Sequence, residues 1–126
     1  MFNYIYFMLE LSHKNLEVYK TALLLVKEIY AVTKTFPKEE QYVLVSQLRR
    51  AVISVCSNIA EGAARKTKPD RRRFYEIARS SLVEVDTQIE ASLILNYTTK
   101  TEIKNIENHL VSIFKMLSKM IANLES

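Results

Sequence analysis

Six cations crowd into the nine residues from 65 to 73: Arg65, Lys66, Lys68, Arg71, Arg72 and Arg73, with Asp70 the one acid among them. From Arg49 to Arg79 the chain holds nine of its 18 Lys and Arg residues and three acids, Glu61, Asp70 and Glu76, a net of +6. The remaining nine cations and eleven acids give net −2. Like charges brought together repel and stabilise no fold. A polyanion offsets that repulsion, because phosphates recruit Lys and Arg and release counterions. Arg71, Arg72 and Arg73 point in three directions around a helix, so one contact cannot use all three. The chain has no tryptophan, and Phe74 and Tyr75 are the nearby aromatics. Phosphate contact is therefore favoured over base stacking. A solvated, solubilising tip accounts for the same cluster without any partner.

Other reactive side chains form no constellation. Ser54, Ser57, Ser80 and Ser81 have no histidine near them in sequence, and His109 has no evident nucleophile. Glu61, Glu76 and Glu84 would suit a carboxylate-bridged metal pair only with Glu-x-x-His on two helices, and their helices carry no histidine. Cys56 lies beside an apolar stripe and reads as a small core residue. One glycine excludes a glycine-rich phosphate loop or dinucleotide fingerprint. The chain reads as non-enzymatic, with no cofactor. A single cysteine and two distant histidines fit a reducing cytoplasm and no zinc site.

The elements that must position the cations are helices. The chain has 126 residues, 48% hydrophobic and 25% charged, with one glycine and two prolines. That is one domain's worth of chain, and too few turn formers for a barrel or sandwich. The first helix is expected from Leu16 to Thr33, with Leu16, Tyr19, Leu23, Val26 and Tyr30 as its buried stripe. Phe36-Pro37 ends it. The second runs from Lys38 to Ala64, with Leu44, Leu48, Val52, Val55 and Ile59 inward. The third starts near Lys68, behind a capping box of Thr67 and Asp70, and reaches Leu95. Its stripe is Phe74, Ala78, Leu82, Val85, Ile89 and Leu93. The fourth follows a second capping box, Thr99 with Glu102. It repeats Ile103, Ile106, Leu110, Ile113, Leu117, Met120 and Leu124 through three heptads. Val111, Phe114 and Ile121 add a second apolar flank. Four helices of roughly 18–28 residues with short turns make an all-α, antiparallel up-down-up-down four-helix bundle. The apolar surplus on the first and fourth helices marks a subunit interface.

A polar stripe, Gln47, Arg50, Ser54, Asn58 and Glu61, runs along the second helix, and Arg73, Glu76, Ser80, Glu84 and Thr87 along the third. A hairpin centred on Thr67 would set Arg50 against Glu84, Glu61 against Arg73, Ser54 against Ser80, Gln47 against Thr87 and Asn58 against Glu76. Such a ladder would fix helix register or a subunit interface; two solvated faces are the plainer account.

Residues 1–15 read as an N-terminal arm ahead of a bundle domain at 16–126. The start, MFNYIYFMLEL, lacks the early Lys or Arg and the cleavage site of a secretory signal. It is also too short to span a bilayer, since Lys14 and Glu17 follow at once. It packs on a neighbouring surface, or Met8 is the true start.

The string QLRRAVISVCSNIAEG, Gln47 to Gly62, resembles the bacterial four-helix-bundle family of 23S rRNA-intervening sequence proteins, whose pattern is close to Q-L-x-R-A-x-x-S-x-x-x-N-I-A-E-G. Phe36-Pro37, the Glu40–Tyr42 region and the run Phe74, Ala78, Ser80, Ser81, Leu82, Glu84 also look like that family. The likeness extends from about Leu16 to Leu124, with Tyr19 where the family commonly has tryptophan. The resemblance implies a ring-like homopentamer and no catalytic residues. It also implies a relation to the accessory proteins of diversity-generating retroelements, which bind reverse transcriptase and template RNA. Arg50, Asn58, Glu61 and Gly62 match the motif, which looks structural, and Gly62 marks a close helix approach or a helix end. Two functions follow as expectations. One is an oligomeric adaptor whose basic tip contacts the phosphate backbone of RNA or DNA. The other is a protein-interaction scaffold, with a reverse transcriptase or another acidic protein as partner and no direct nucleic-acid contact.

Overall fold

The computed structural model describes Leu9 and residues 11–125. Four helices carry the fold: α1 (Glu17–Thr33), α2 (Leu44–Ala64), α3 (Lys68–Ile94) and α4 (Lys104–Asn123). Short 3-10 turns at Ser12–Asn15 and Lys38–Glu40 precede α1 and α2, and there is no strand among the described residues. α1 packs on α2 and α4, and α3 packs on α2 and α4, while the backbones of the diagonal pairs stay farther apart. With short connections this is an antiparallel four-helix bundle. The start of α1, the end of α2, the start of α3 and the end of α4 therefore share one end of the rod.

The helix boundaries follow local chemistry. Thr67 Oγ1 accepts a hydrogen bond from the Asp70 backbone N–H at 3.3 Å, opening α3. Thr99 and Glu102 form the expected reciprocal box, but it closes a turn ahead of α4, whose regular helix starts only at Lys104 behind Ile103, without a side-chain cap. The Glu102 N–H donates to Thr99 Oγ1 and the Thr99 N–H donates to Glu102 Oε1, both at 3.2 Å. α3 ends because Asn96 takes the left-handed conformation (φ 60°). The Tyr97 N–H then reaches the Ser92 carbonyl at 2.9 Å and the Asn96 N–H the Leu93 carbonyl at 3.0 Å, closing the helix end.

Two helix readings need correction. α2 does not begin at Lys38. Pro37 opens a separate 3-10 turn, in which the Glu40 N–H bonds the Pro37 carbonyl at 3.0 Å. Val43 then takes φ −120°, ψ −93°, outside the helical region, so regular helix starts at Leu44. In α1 the buried stripe is Val18, Ala22, Leu25, Ile29 and Thr33. The expected residues Leu16, Tyr19, Leu23 and Val26 are half-buried flanks, and Tyr30 is exposed. The run Leu23-Leu24-Leu25-Val26 offers several apolar phases, and small Ala22, with the buried Thr33, decides which one faces inward. Smaller shifts occur in α3, where Tyr75 is buried instead of Phe74, and in α4, where Ile121 is buried and Met120 is half-buried.

The core joins these stripes with Val45, Leu48, Val52, Val55 and Ile59 of α2, Ala78, Leu82 and Val85 of α3, and Ile106, Ile113 and Leu117 of α4. Of the expected N-terminal arm, residues 1–8 and 10 lie outside the described residues, and the question of Met8 as a start lies there too. The described part, Ser12–Asn15, buries His13, whose ring meets Tyr19 edge-on at 4.7 Å.

Candidate nucleic-acid interface

The α2–α3 connection brings the six predicted cations to one end of the bundle but gives them different tasks. Arg71 is half-buried, and its Nε donates to the Arg65 carbonyl at 2.8 Å. That bond serves one of the acceptors left over at the end of α2. Arg65 pairs with Glu61 one turn earlier, Nη2 to Oε2 at 2.5 Å. Its guanidinium also lies 4.6 Å from the centroid of the Phe74 ring, and that of Arg73 lies 5.0 Å from the same ring. The two cations thus share one aromatic platform. Arg65 Nε is shielded from water without a hydrogen-bond acceptor. Arg72 reaches Glu125 of the α4 terminus at 3.9 Å. Lys66, Lys68 and Arg73 are exposed. Both ion pairs are solvent-exposed, so each contributes only ~0–1 kcal/mol and yields readily to a competing anion.

The polar ladder is not assembled as expected. Ser54 pairs with Ser81, not Ser80, Oγ to Oγ at 2.9 Å. Gln47 Oε1 accepts from Gln88 Nε2, not from Thr87, at 3.5 Å. Asn58 Nδ2 donates to the Ser54 carbonyl at 2.9 Å and to Ser54 Oγ at 3.1 Å, leaving Glu76 exposed. Glu61 binds Arg65 and not Arg73, and Thr87 donates to the Val83 carbonyl of its own helix at 3.0 Å. Arg50 and Glu84 are exposed and form no ion pair among the described residues. The cause is one step of helix phase. α3 buries Tyr75, Ala78, Ser81, Leu82 and Val85, so the flank facing α2 lies one residue, about 100°, from the predicted set. That rotation turns Ser80 and Glu84 outward.

Arg49 belongs to neither predicted stripe, yet it is the most tightly held cation of α2. Its Nε donates to Thr33 Oγ1 at 3.0 Å and its Nη2 to the Tyr30 carbonyl at 3.3 Å, with the guanidinium 4.4 Å above the Tyr30 ring. Its partners lie on another helix, sixteen or more residues away, beyond the reach of spacing rules. At the opposite end of the rod, Tyr97 donates to Glu40 Oε2 at 2.8 Å, joining the two loops there; that bond to a carboxylate raises the Tyr97 pKa. Cys56 is buried, and desolvation pushes its thiol up to about 12. Among the described residues no three His, Cys, Asp or Glu side chains gather where they could hold a metal ion, and no helix is long and apolar enough to cross a membrane.

An antiparallel helical bundle with a basic hairpin end is the class these observations define. Residues 14–119 match the family described as 23S rRNA-intervening sequence protein, and the chain belongs to that family. No curated protein matches it. The chain is similar in fold to a crystal structure of a protein of unknown function from the S23 ribosomal protein family of Bacteroides thetaiotaomicron. The identity is 24%, covering 83% of this chain and 95% of that one, with a TM-score of 0.76.

Proposed function

We propose that this protein is a non-enzymatic, oligomeric adaptor in the cytoplasm that associates with nucleic acid, RNA foremost, through the basic hairpin end. One observation carries the reading. Lys66 of the α2–α3 connection and Lys68, Arg72 and Arg73 of the first turns of α3 share one end of the bundle, and the acids paired with cations there, Glu61 and Glu125, are exposed and replaceable by phosphate. The contact is to phosphate, since the nearby Phe74 is half-buried and already approached by the guanidiniums of Arg65 and Arg73. Binding is then strongly salt-dependent and weakly sequence-dependent. Arg65 and Arg71 contribute field more than contact, being held by Glu61 and by the end of α2.

The test is a salt titration of single-stranded RNA binding by the full chain and by a variant with Lys66, Lys68, Arg72 and Arg73 changed to Gln. The variant should bind far more weakly, with the slope of log K against log salt reduced by ~0.7 for each phosphate that it no longer neutralises. Unchanged affinity and slope would overturn the reading.

A ring-like homopentamer is the assembly we favour, in keeping with the exposed apolar side chains Val83, Val111 and Phe114, which line one hollow between α3 and α4. The same hollow supports a second reading, a protein-interaction scaffold such as an accessory subunit of a retroelement reverse transcriptase. That reading requires co-purification with the polymerase and no binding to naked RNA.

A further inference from the structure

We propose that the hollow where the ends of all four helices meet binds a short-chain fatty acid, its carboxylate held by Arg71 and Tyr75 and its chain by Leu16, Met120 and Leu124. The proposal goes beyond nucleic-acid binding and does not rest on it.

The hollow has a volume of about 320 Å³. Leu16 ahead of α1, Ala63 of α2, and Met120 and Leu124 at the end of α4 give it apolar walls, and no acid lines it. Small-molecule sites are built this way, mostly apolar with a few placed polar groups. Here Arg71 and Tyr75 of α3 line the same hollow, four residues apart and so on one face of the helix. Tyr75 is 4% exposed, yet its hydroxyl makes no hydrogen bond among the described residues and is not sealed from water. Enclosed phenols normally find a partner, and the hollow is where one can reach this group. The ring packs against Gly62 and cannot turn away. The donor is thus fixed before a ligand arrives, which lowers the cost of binding. Burial raises the Tyr75 pKa, against a smaller opposite pull from the Arg71 guanidinium, so the phenol stays protonated beside a cation. Arg71 uses only its Nε, on the Arg65 carbonyl, and no acid pairs with it among the described residues.

These groups select the ligand. A guanidinium fork and a phenol O–H suit a carboxylate, which accepts from both. The walls add a second requirement. Free phosphate or a nucleic-acid backbone would leave Leu16, Met120 and Leu124 facing a hydrated ligand, whereas a saturated chain covers them. Size adds a third. The volume lies at the lower end of small-ligand sites, roughly 300–1,000 Å³, which suits a short chain and excludes a long peptide.

The experiment is calorimetric titration of the full chain with octanoate below its micelle concentration. Octanamide keeps the tail without the charge, and acetate keeps the head without the tail. Octanoate should bind at one site per chain, and both analogues should bind roughly tenfold or more weakly. Tyr75→Phe keeps the ring against Gly62 and so keeps the fold; it and Arg71→Gln should each weaken octanoate by about tenfold. The variant with Lys66, Lys68, Arg72 and Arg73 changed to Gln should still bind octanoate, whatever becomes of its RNA binding. No saturable binding of octanoate, or equal binding of octanamide, overturns the proposal. Tyr75→Phe binding as the wild type does overturns the role of the phenol. Octanoate binding that disappears with the four Gln changes reveals a general cationic surface and overturns the hollow as the site. Tighter binding of acetyl-alanyl-leucine than of octanoate overturns the fatty acid as occupant in favour of a peptide C-terminus.

Discussion

The ring of Tyr75 lies against Gly62 so closely that a β-carbon on Gly62 would stand 2.6 Å from Cε1 and 2.8 Å from Cδ1. The Arg71 carbonyl is the next neighbour, at 3.3 Å. Tyr75 is buried, so its ring cannot swing away into water. The chain's one glycine therefore sits where α2 and α3 meet near the basic hairpin end.

Gly62→Ala tests that contact. In an exposed helix the change would stabilise by about 1 kcal/mol. Here overpacking costs about 1–3 kcal/mol, so the net outcome is a loss, seen as a lower denaturation midpoint with helix content retained. A midpoint that rises would show the ring yielding freely.

Arg49 closes the end of α1 from the neighbouring helix. Arg49→Ala removes two hydrogen bonds and the stacking on Tyr30, and should cost about 1–2 kcal/mol in urea unfolding. Arg49→Lys should recover little of this, because an ammonium cannot reproduce the planar fork that reaches Thr33 Oγ1 and the Tyr30 carbonyl together. Full recovery by lysine would mean that charge alone matters.

His13 carries a pH dependence. Burial, then the neighbouring Lys14, lowers its pKa below the usual 6.5. Between the folded and unfolded values the unfolded chain binds more protons, so stability rises with pH across that window. The contribution of neutral His13 is thus fully present above 6.5 and is lost as pH falls through the lower, folded value. Melting temperatures from about pH 7.5 to about pH 5 should decline, and His13→Gln should flatten the part of the decline that this residue causes. An identical slope in the variant would place the effect elsewhere.

Local signals were legible and relational ones were not. Thr67 with Asp70 and the break at Asn96 are short-range chemistry, and they lie at the ends of α3 where spacing put them. Thr99 and Glu102 instead close a turn ahead of α4, which starts at Lys104 behind Ile103 with no side-chain cap. The 3.5-residue repeat of α4 is equally local and placed Ile106, Leu110, Ile113 and Leu117 in the core. The phase of α1 was ambiguous because four consecutive apolar residues suit several faces. The ladder missed by one residue because hairpin symmetry assumes that facing positions mirror about the loop, whereas Tyr75 packing against Gly62 sets the rotation of α3. The charge cluster was plain in sequence. The roles of Arg71 and Arg65, holding a carbonyl and sharing a ring, depend on the fold.

The buried Cys56 leaves the chain without a readily ionised sulfur, since burial keeps its thiol protonated up to about 12. A cysteine introduced at an exposed position such as Lys66 would be the one fast-reacting thiol in the molecule. A fluorophore or cross-linker could then be attached at the hairpin end without first deleting the native sulfur, giving a direct optical report on whatever docks there.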